Sequence, residues 1–251
     1  MRAIITGASS GIGLALAQEL DRRGWELALL ARRTELLTDA VTKLKRATAV
    51  TCDVTSASAV ADAVRRAEAE LGGPFDLAVA NAGIGYPTHA AKFDAEAAAE
   101  IIRVNVIGTI NLFAAVVPTM IERRRGRFAG VASLAGHRGV PTASAYSSSK
   151  AAMQAFLEAS RIELAPHGVG VTIVNPGFIV TAMTARNRFR MPFLMNADRA
   201  ARIIADGLER GKRVIEFPRP MSVATRFMRQ LPDALYDAIM TRGAQVKKTK
   251  T

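Results

Sequence analysis

A chain of 251 residues, 49% hydrophobic and 22% charged, suits one large α/β domain and falls outside the disordered and low-complexity classes. Its single cysteine, Cys52, excludes an internal disulfide, Gly7 comes too early for a signal-peptide core, and no run of about 18 apolar residues occurs, so the expected location is cytoplasmic. The net charge of +12 is uneven: from Arg186 to the end 15 basic side chains stand against 6 acidic ones, which suits an anionic partner, although no nucleic-acid-binding motif accompanies them.

In chain order, "RAIIT" (2–6) reads as a strand and is followed by a helix over 12–23. A strand at 25–31 precedes a helix at 34–46, and a strand at 47–52 precedes a helix at 56–72. The strand at 75–81 leads into two helical stretches, 94–103 and 105–123. After the strand at 127–133 a helix opens near Tyr146, the strand at 169–176 precedes a helix at 198–210, and 213–217 is the last strand. These strands are continuous apolar runs rather than alternating ones, as expected where both faces are covered. Repeated βα units predict an α/β fold with a single doubly wound parallel sheet, Rossmann-like, of about seven strands with helices on both faces. Ligands bind such sheets outside the carboxyl ends of the strands, so the segments that follow each strand carry the functional reading.

The first of these segments is "TGASSGIG", Thr6 to Gly13. Gly7, Gly11 and Gly13 permit a tight turn and let backbone N–H groups approach a pyrophosphate at a helix N-terminus. Far downstream, "YSSSK" (146–150) sets Tyr146 and Lys150 four apart on one helix face. An ammonium beside a phenol lowers the phenol's pKa from about 10, which makes it a competent proton donor or acceptor for a ketone or alcohol.

Together, TGxxxGxG and YxxxK resemble the short-chain dehydrogenase/reductase family, and further family landmarks follow in order between residues 2 and about 217. Asp53 stands in "CDVT" after the third strand. "ANAG" (80–83) has Ala80 where the family carries a first asparagine, so only Asn81 of that pair is retained. Asn105 stands in "VNVIG", Ser133 in "VASLAG", and Pro176, Gly177, Ile179 and Thr181 make up PGxIxT. The resemblance implies an enzyme that transfers hydride between a nicotinamide and a carbonyl or secondary alcohol. In that reading Tyr146 is the acid and base, Lys150 lowers its pKa and holds the nicotinamide ribose, Ser133 donates to the substrate oxygen, and Asn105 holds a water linking Lys150 to solvent. The implied cofactor contacts are Gly7, Ser9, Ser10, Gly11, Ile12, Gly13, Asp53, Val54, Asn81, Ala82, Gly83, Tyr146, Lys150, Pro176, Gly177, Ile179 and Thr181. His137 reads as a loop residue near the pocket, and no metal-ligand spacing is present. The competing reading is a catalytically silent nucleotide-binding sensor or interaction protein, in which part of this tetrad should be missing.

An NAD enzyme needs a carboxylate near the end of the second strand. Here Arg32 and Arg33 follow Ala31 instead. A guanidinium pair matches a 2′-phosphate in charge and fork geometry, with Ser9 or Ser10 to add a hydroxyl, so NADP is the expected cofactor.

The catalytic domain is expected to span 1–217, with a substrate-closing segment at 182–196. There Met183, Phe189, Met191, Phe193, Leu194 and Met195 supply apolar surface, and Arg186, Arg188 and Arg190 interleave at its rim. This suits a bulky, lipophilic substrate, anionic if the arginines face it. Residues 218–251 form a basic amphipathic extension with a disordered end. Its apolar stripe (Val223, Ala224, Phe227, Met228, Leu231) is expected to be a lid, a subunit contact or a weak contact with an anionic membrane. The helix from Asn105 is apolar nearly all round, which predicts a homodimer or homotetramer.

Overall fold

Seven parallel strands form one sheet in the order β3-β2-β1-β4-β5-β6-β7 in the computed structural model, which describes residues 1–187 and 190–248. Arg188, Phe189, residues 249–251 and the side chains of Arg186 and of residues 242–248 lie outside the described residues. The strands are β1 (Arg2–Thr6), β2 (Glu26–Ala31), β3 (Ala47–Thr51), β4 (Leu77–Ala80), β5 (Gly126–Val131), β6 (Val169–Pro176) and β7 (Val214–Phe217). The order reverses between β1 and β4, so the carboxyl ends of these two strands open the crevice in which a doubly wound sheet binds its ligand.

Helices α1 (Gly11–Arg22), α2 (Thr34–Val41) and α7 (Ala197–Glu209) cover one face of the sheet, and α3 (Ala57–Leu71), α5 (Gly108–Glu122) and α6 (Ser144–Leu164) cover the other. This is why the inner strands read as unbroken apolar runs. Leu27, Leu29, Val79 and Ala129 face one core, and Ala28, Leu30, Ala78 and Phe128 face the other. On the second face Phe113 of α5 packs edge-on against Phe128 of β5 and Phe156 of α6, with centroids 5.1 and 5.0 Å apart. Leu157 fills the space above Gly130, where a Cβ would stand 2.3 Å from Leu157 Cδ1. These contacts seat α6 on the sheet.

Most boundaries shift by one or two residues from the sequence expectation, and three differences have structural interest. Helix α2 stops at Val41 rather than at 46, because the following turn must return to β3: Lys45 N donates to Asp21 Oδ1 at 2.8 Å, and Leu27 N donates to Arg46 O at 3.0 Å. Strand β4 is confined to Leu77–Ala80. The two helices expected at 94–103 and 105–123 join into one run, α4 (Ala95–Ile102) continuing into α5 through a π-helical stretch at Arg103–Ile107. The wide turn carries Asn105, whose carbonyl accepts from Thr109 Oγ1 at 2.7 Å.

The C-terminal extension forms α8 (Arg219–Gln230) and α9 (Asp233–Lys248). Helix α8 lies on β7 and on the turn after β5. Its Ser222 faces the body, while Val223 and Phe227 are about two-thirds exposed.

Candidate active site

The carboxyl ends of β1, β2, β3, β4, β5 and β6 surround a cleft of about 530 Å³, within the range of small-molecule sites. Its floor is the glycine loop. Gly7 and Gly11 adopt φ of +67° and +59°, which a residue with a Cβ rarely does. At Gly13 a Cβ would come within 2.4 Å of Asn81 Nδ2 and 2.6 Å of Gly7 O, so the helix can start this close to the strand only without one. Asn81 staples the loop to the end of β4, donating to Thr6 O at 3.0 Å and to Gly7 O at 3.2 Å. Thr6 Oγ1 in turn accepts from the backbone of Asn81 and Ala82, both at 3.1 Å. The cap residue of α1, Ser10, makes no side-chain cap bond, and the first turn has no acidic residue. The loop is thus built to let an anion complete the helix end.

Arg33 Nη2 donates to Ser9 Oγ at 3.1 Å and Ser10 Oγ at 2.9 Å, so the guanidinium and both hydroxyls converge at the lip of the loop. Arg32 is exposed beside it, and neither arginine has a carboxylate partner among the described residues. After β3, Asp53 Oδ1 accepts from Thr55 N and Thr55 Oγ1, both at 2.9 Å, which fixes the turn. Asn111 of α5 donates to Val54 O at 2.8 Å. A tight turn, an uncapped helix end and an unpaired arginine cluster fit a dinucleotide.

At the other end of the cleft Ser133, Tyr146 and Lys150 come together. Ser133 caps a short turn, Leu134–Gly136, its Oγ accepting from Ala135 N at 3.1 Å, and its hydroxyl neighbours the Tyr146 phenol. Lys150 is 4% exposed; its Nζ donates to Val131 O at 2.8 Å and stands 5.8 Å from the centroid of the Tyr146 ring. Burial pushes the Tyr146 phenol up from its ordinary value, and the Ser133 side chain opposes that shift. The same burial pushes the Lys150 ammonium down to about 7.

Every residue predicted for the site lines the cleft except two. Gly13 lies beneath the loop. Asn105, fully buried, sits behind the wall: its Oδ1 accepts from Ile84 N at 2.8 Å, and its Nδ2 donates to Ile84 O at 3.0 Å and to Ser149 Oγ at 2.9 Å. It therefore clamps the loop after β4 to α6. His137 is not at the cleft but is buried against Glu216. In the closing segment Met183 lines the cleft, whereas Met195 joins the core and Phe193 and Leu194 point outward.

The sequence reading missed several participants. Gly85 passes over the Tyr146 ring so closely that a Cβ would stand 2.7 Å from it. Tyr86 and Glu100, hydrogen-bonded to each other, line the mouth; burial and Glu100 push the Tyr86 phenol up to about 12. Asn111 had one signal, a polar residue on an otherwise apolar helix. Gly85 had none, because its partner is 61 positions away in the chain.

A family model for the short chain dehydrogenases matches residues 1–191. The chain is 42% identical over 245 residues to an uncharacterised oxidoreductase of Myxococcus xanthus (strain DK1622), covering 96% of each. Among solved structures it is similar to a short chain dehydrogenase from Burkholderia cenocepacia J2315 in complex with NADP, at 30% identity and a TM-score of 0.82, over 95% of this chain and 96% of that one. The fold also matches a short chain dehydrogenase/reductase from Burkholderia phymatum in complex with NAD, at 22% identity and a TM-score of 0.82, over 90% of this chain and 91% of that one.

Proposed function

Because the chain belongs to the short-chain dehydrogenase/reductase family, we propose that it is an NADP(H)-dependent oxidoreductase interconverting a carbonyl and a secondary alcohol on a bulky, lipophilic substrate. The observation that carries this reading is the convergence of Ser133, Tyr146 and Lys150 at the far end of the same cleft as the glycine loop.

A bound nicotinamide dinucleotide supplies or accepts the hydride. The glycine loop and the N-terminus of α1 hold its pyrophosphate, and Arg32 and Arg33 with Ser9 and Ser10 hold a 2′-phosphate. Tyr146 protonates the carbonyl oxygen in reduction and removes the hydroxyl proton in oxidation. Ser133 donates a hydrogen bond to the same substrate oxygen and stabilises the charge that develops there. Lys150 Nζ, near neutrality in its affinity for a proton, passes one toward Tyr146. Asn105 faces Lys150 across Gly83 and has one Oδ1 lone pair left to hold the water through which the lysine exchanges with solvent. The silent-sensor reading is disfavoured because all four of these residues are present.

NADP rather than NAD is supported by the uncompensated arginine pair, since relatives with either nucleotide exist. Ile84, Ala182 and Met183 give the substrate end apolar walls, and Glu100 disfavours an anionic group at the mouth, so the preferred substrate is lipophilic and uncharged there. Ile107, Ala114 and Pro118 are exposed along the run through α5, and Ala151, Ala152, Ala155, Ala159 and Ile162 on α6, the latter beside Ser148, Glu158 and Glu163. They suit a homodimer or homotetramer in the cytoplasm. The test of function is a screen of ketones and secondary alcohols with both nucleotides. Consumption of NADPH in preference to NADH on long-chain or polycyclic carbonyl compounds supports the reading, and turnover confined to NADH or to small polar substrates removes it.

A further inference from the structure

Behind Ser133, on the side away from the glycine loop, side chains from α6, β6, β7 and α8 form an unbroken chain of hydrogen bonds. Gln154 Nε2 donates to the Ser133 carbonyl at 2.8 Å and to Asn175 Oδ1 at 3.1 Å. Asn175 Nδ2 donates to Glu216 Oε1 at 3.0 Å, and His137 Nε2 lies 3.1 Å from the same oxygen. Glu216 Oε2 accepts from Ser222 Oγ and, at 2.9 Å, from Arg226 Nε, both on α8. Asn175 is 3% exposed, and the side chains of His137 and Glu216 are 6% and 8% exposed. Gly136 permits the approach, since a Cβ there would come within 2.6 Å of Gln154 Nε2.

Glu216 fixes the direction of every bond. An ionised carboxylate only accepts, so Asn175 must turn its NH₂ toward Glu216 and its oxygen toward Gln154. Gln154 must then present its NH₂ to Asn175, and the second proton of that group reaches the Ser133 carbonyl. Burial alone would raise the Glu216 pKa, but the bonds from His137, Ser222, Asn175 and Arg226 hold it at about 2. The anion that orders the chain is therefore permanent at physiological pH. Aliphatic side chains could join the same elements, but only a directional network dictates which way a backbone carbonyl is held.

Resting on the function proposed above, we propose that Gln154, Asn175 and Glu216 are positioning residues. They fix the backbone of Ser133, and with it the hydroxyl that meets Tyr146, and they make α8 of the C-terminal extension part of the support of the site. The inference goes beyond the tetrad: it ties a helix outside the sheet to the residue that tunes the phenol.

The test uses the full-length protein with Gln154→Leu, Glu216→Gln and Glu216→Asp. Nucleotide Kd, KM, kcat and the Tyr146 titration are measured, the last by ¹³Cζ-tyrosine NMR with the signal assigned by its loss in Tyr146→Phe. For Gln154→Leu and Glu216→Gln, kcat is expected to fall about tenfold or more, with nucleotide Kd within about twofold of wild type. The Tyr146 midpoint is expected to move up by about half a pH unit or more, because the Ser133 hydroxyl that opposes its upward shift is moved out of place. Glu216→Asp keeps the anion and should recover most of the loss. Wild-type kcat and midpoint in Gln154→Leu would overturn the inference. So would a kcat loss with an unmoved midpoint or a parallel loss of nucleotide affinity, which mark general damage. If Gln154→Leu does not fold, Glu216→Gln decides on the same criteria. A moved midpoint in a protein that turns over no carbonyl compound would sustain the positioning role and remove the functional reading instead.

Discussion

Tyr146 and Lys150 were legible as a pair because their relation is local: four residues on one helix place them on one face whatever the rest of the chain does. Their titration was not legible, because burial is set by segments far away. Gly85 crosses the phenol ring and Val131 O meets the ammonium, and neither contact has a local spacing. The lysine gives a prediction whose sign follows from its lowered pKa. A lysine whose pKa falls from 10.5 to about 7 on folding carries a cost in stability that grows as pH falls through this window, where the unfolded chain binds a proton that the fold does not. That cost is largest at and below neutrality and disappears as pH rises toward 10.5. Without bound nucleotide, Lys150→Met should therefore be more stable than wild type at pH 7, on the order of 2–3 kcal/mol after its lost hydrogen bond is allowed for, and the gain should shrink toward pH 10. Urea unfolding at the two pH values checks this; a destabilised variant at pH 7 contradicts it. Arg32 and Arg33 give a second prediction at this scale. Replacing them as Arg32→Asp with Arg33→Ala should weaken NADPH binding at least about tenfold more than NADH binding, read by fluorescence titration. Equal effects on the two nucleotides would show that the pair does not meet a 2′-phosphate.

Among the elements, the sheet and its helices follow from the apolar periodicity, whose continuous strands and 3.6-residue helices need no knowledge of distant contacts. What the periodicity missed are irregularities imposed from outside. The π-helical turn at 103–107 joins two expected helices, and its signal is a hydrogen-bond register rather than a residue pattern. Helix α2 is cut short by Asp21, which holds Lys45 N from another element. The extension was read as an apolar stripe with its direction open. In the fold its inward face is Ser222 and Arg226 on Glu216, a polar attachment that leaves the stripe outward. At this scale Leu157 is the test of how α6 is carried. It is fully buried over Gly130, so Leu157→Ala leaves a cavity that backbone alone cannot fill. The expected loss is about 2–5 kcal/mol in chemical denaturation. A loss below about 1 kcal/mol would show that α6 collapses onto β5 and that its catalytic face is not held by this contact.

For the whole molecule, the +12 charge and the outward stripe of α8 and α9 act together. Val223, Phe227, Leu235 and Ile239 are between 42% and 67% exposed, and arginines share their helices. From that combination we predict a weak, reversible contact with an anionic bilayer, which should disappear in high salt because exposed charges are screened over roughly 10 Å at 0.1 M. Sedimentation with anionic and neutral vesicles tests it, and salt-insensitive binding to neutral vesicles would contradict it. The fold itself places the glycine loop and Tyr146 at opposite ends of one cleft, so nucleotide binding and proton transfer should be separable by mutation. The most direct measurement is therefore turnover and NADPH affinity side by side for wild type and Tyr146→Phe on a lipophilic ketone. Retained affinity with kcat reduced by at least about a hundredfold is the predicted result, as expected for loss of a general acid. A Tyr146→Phe protein that turns over at the wild-type rate would contradict the assignment of the site.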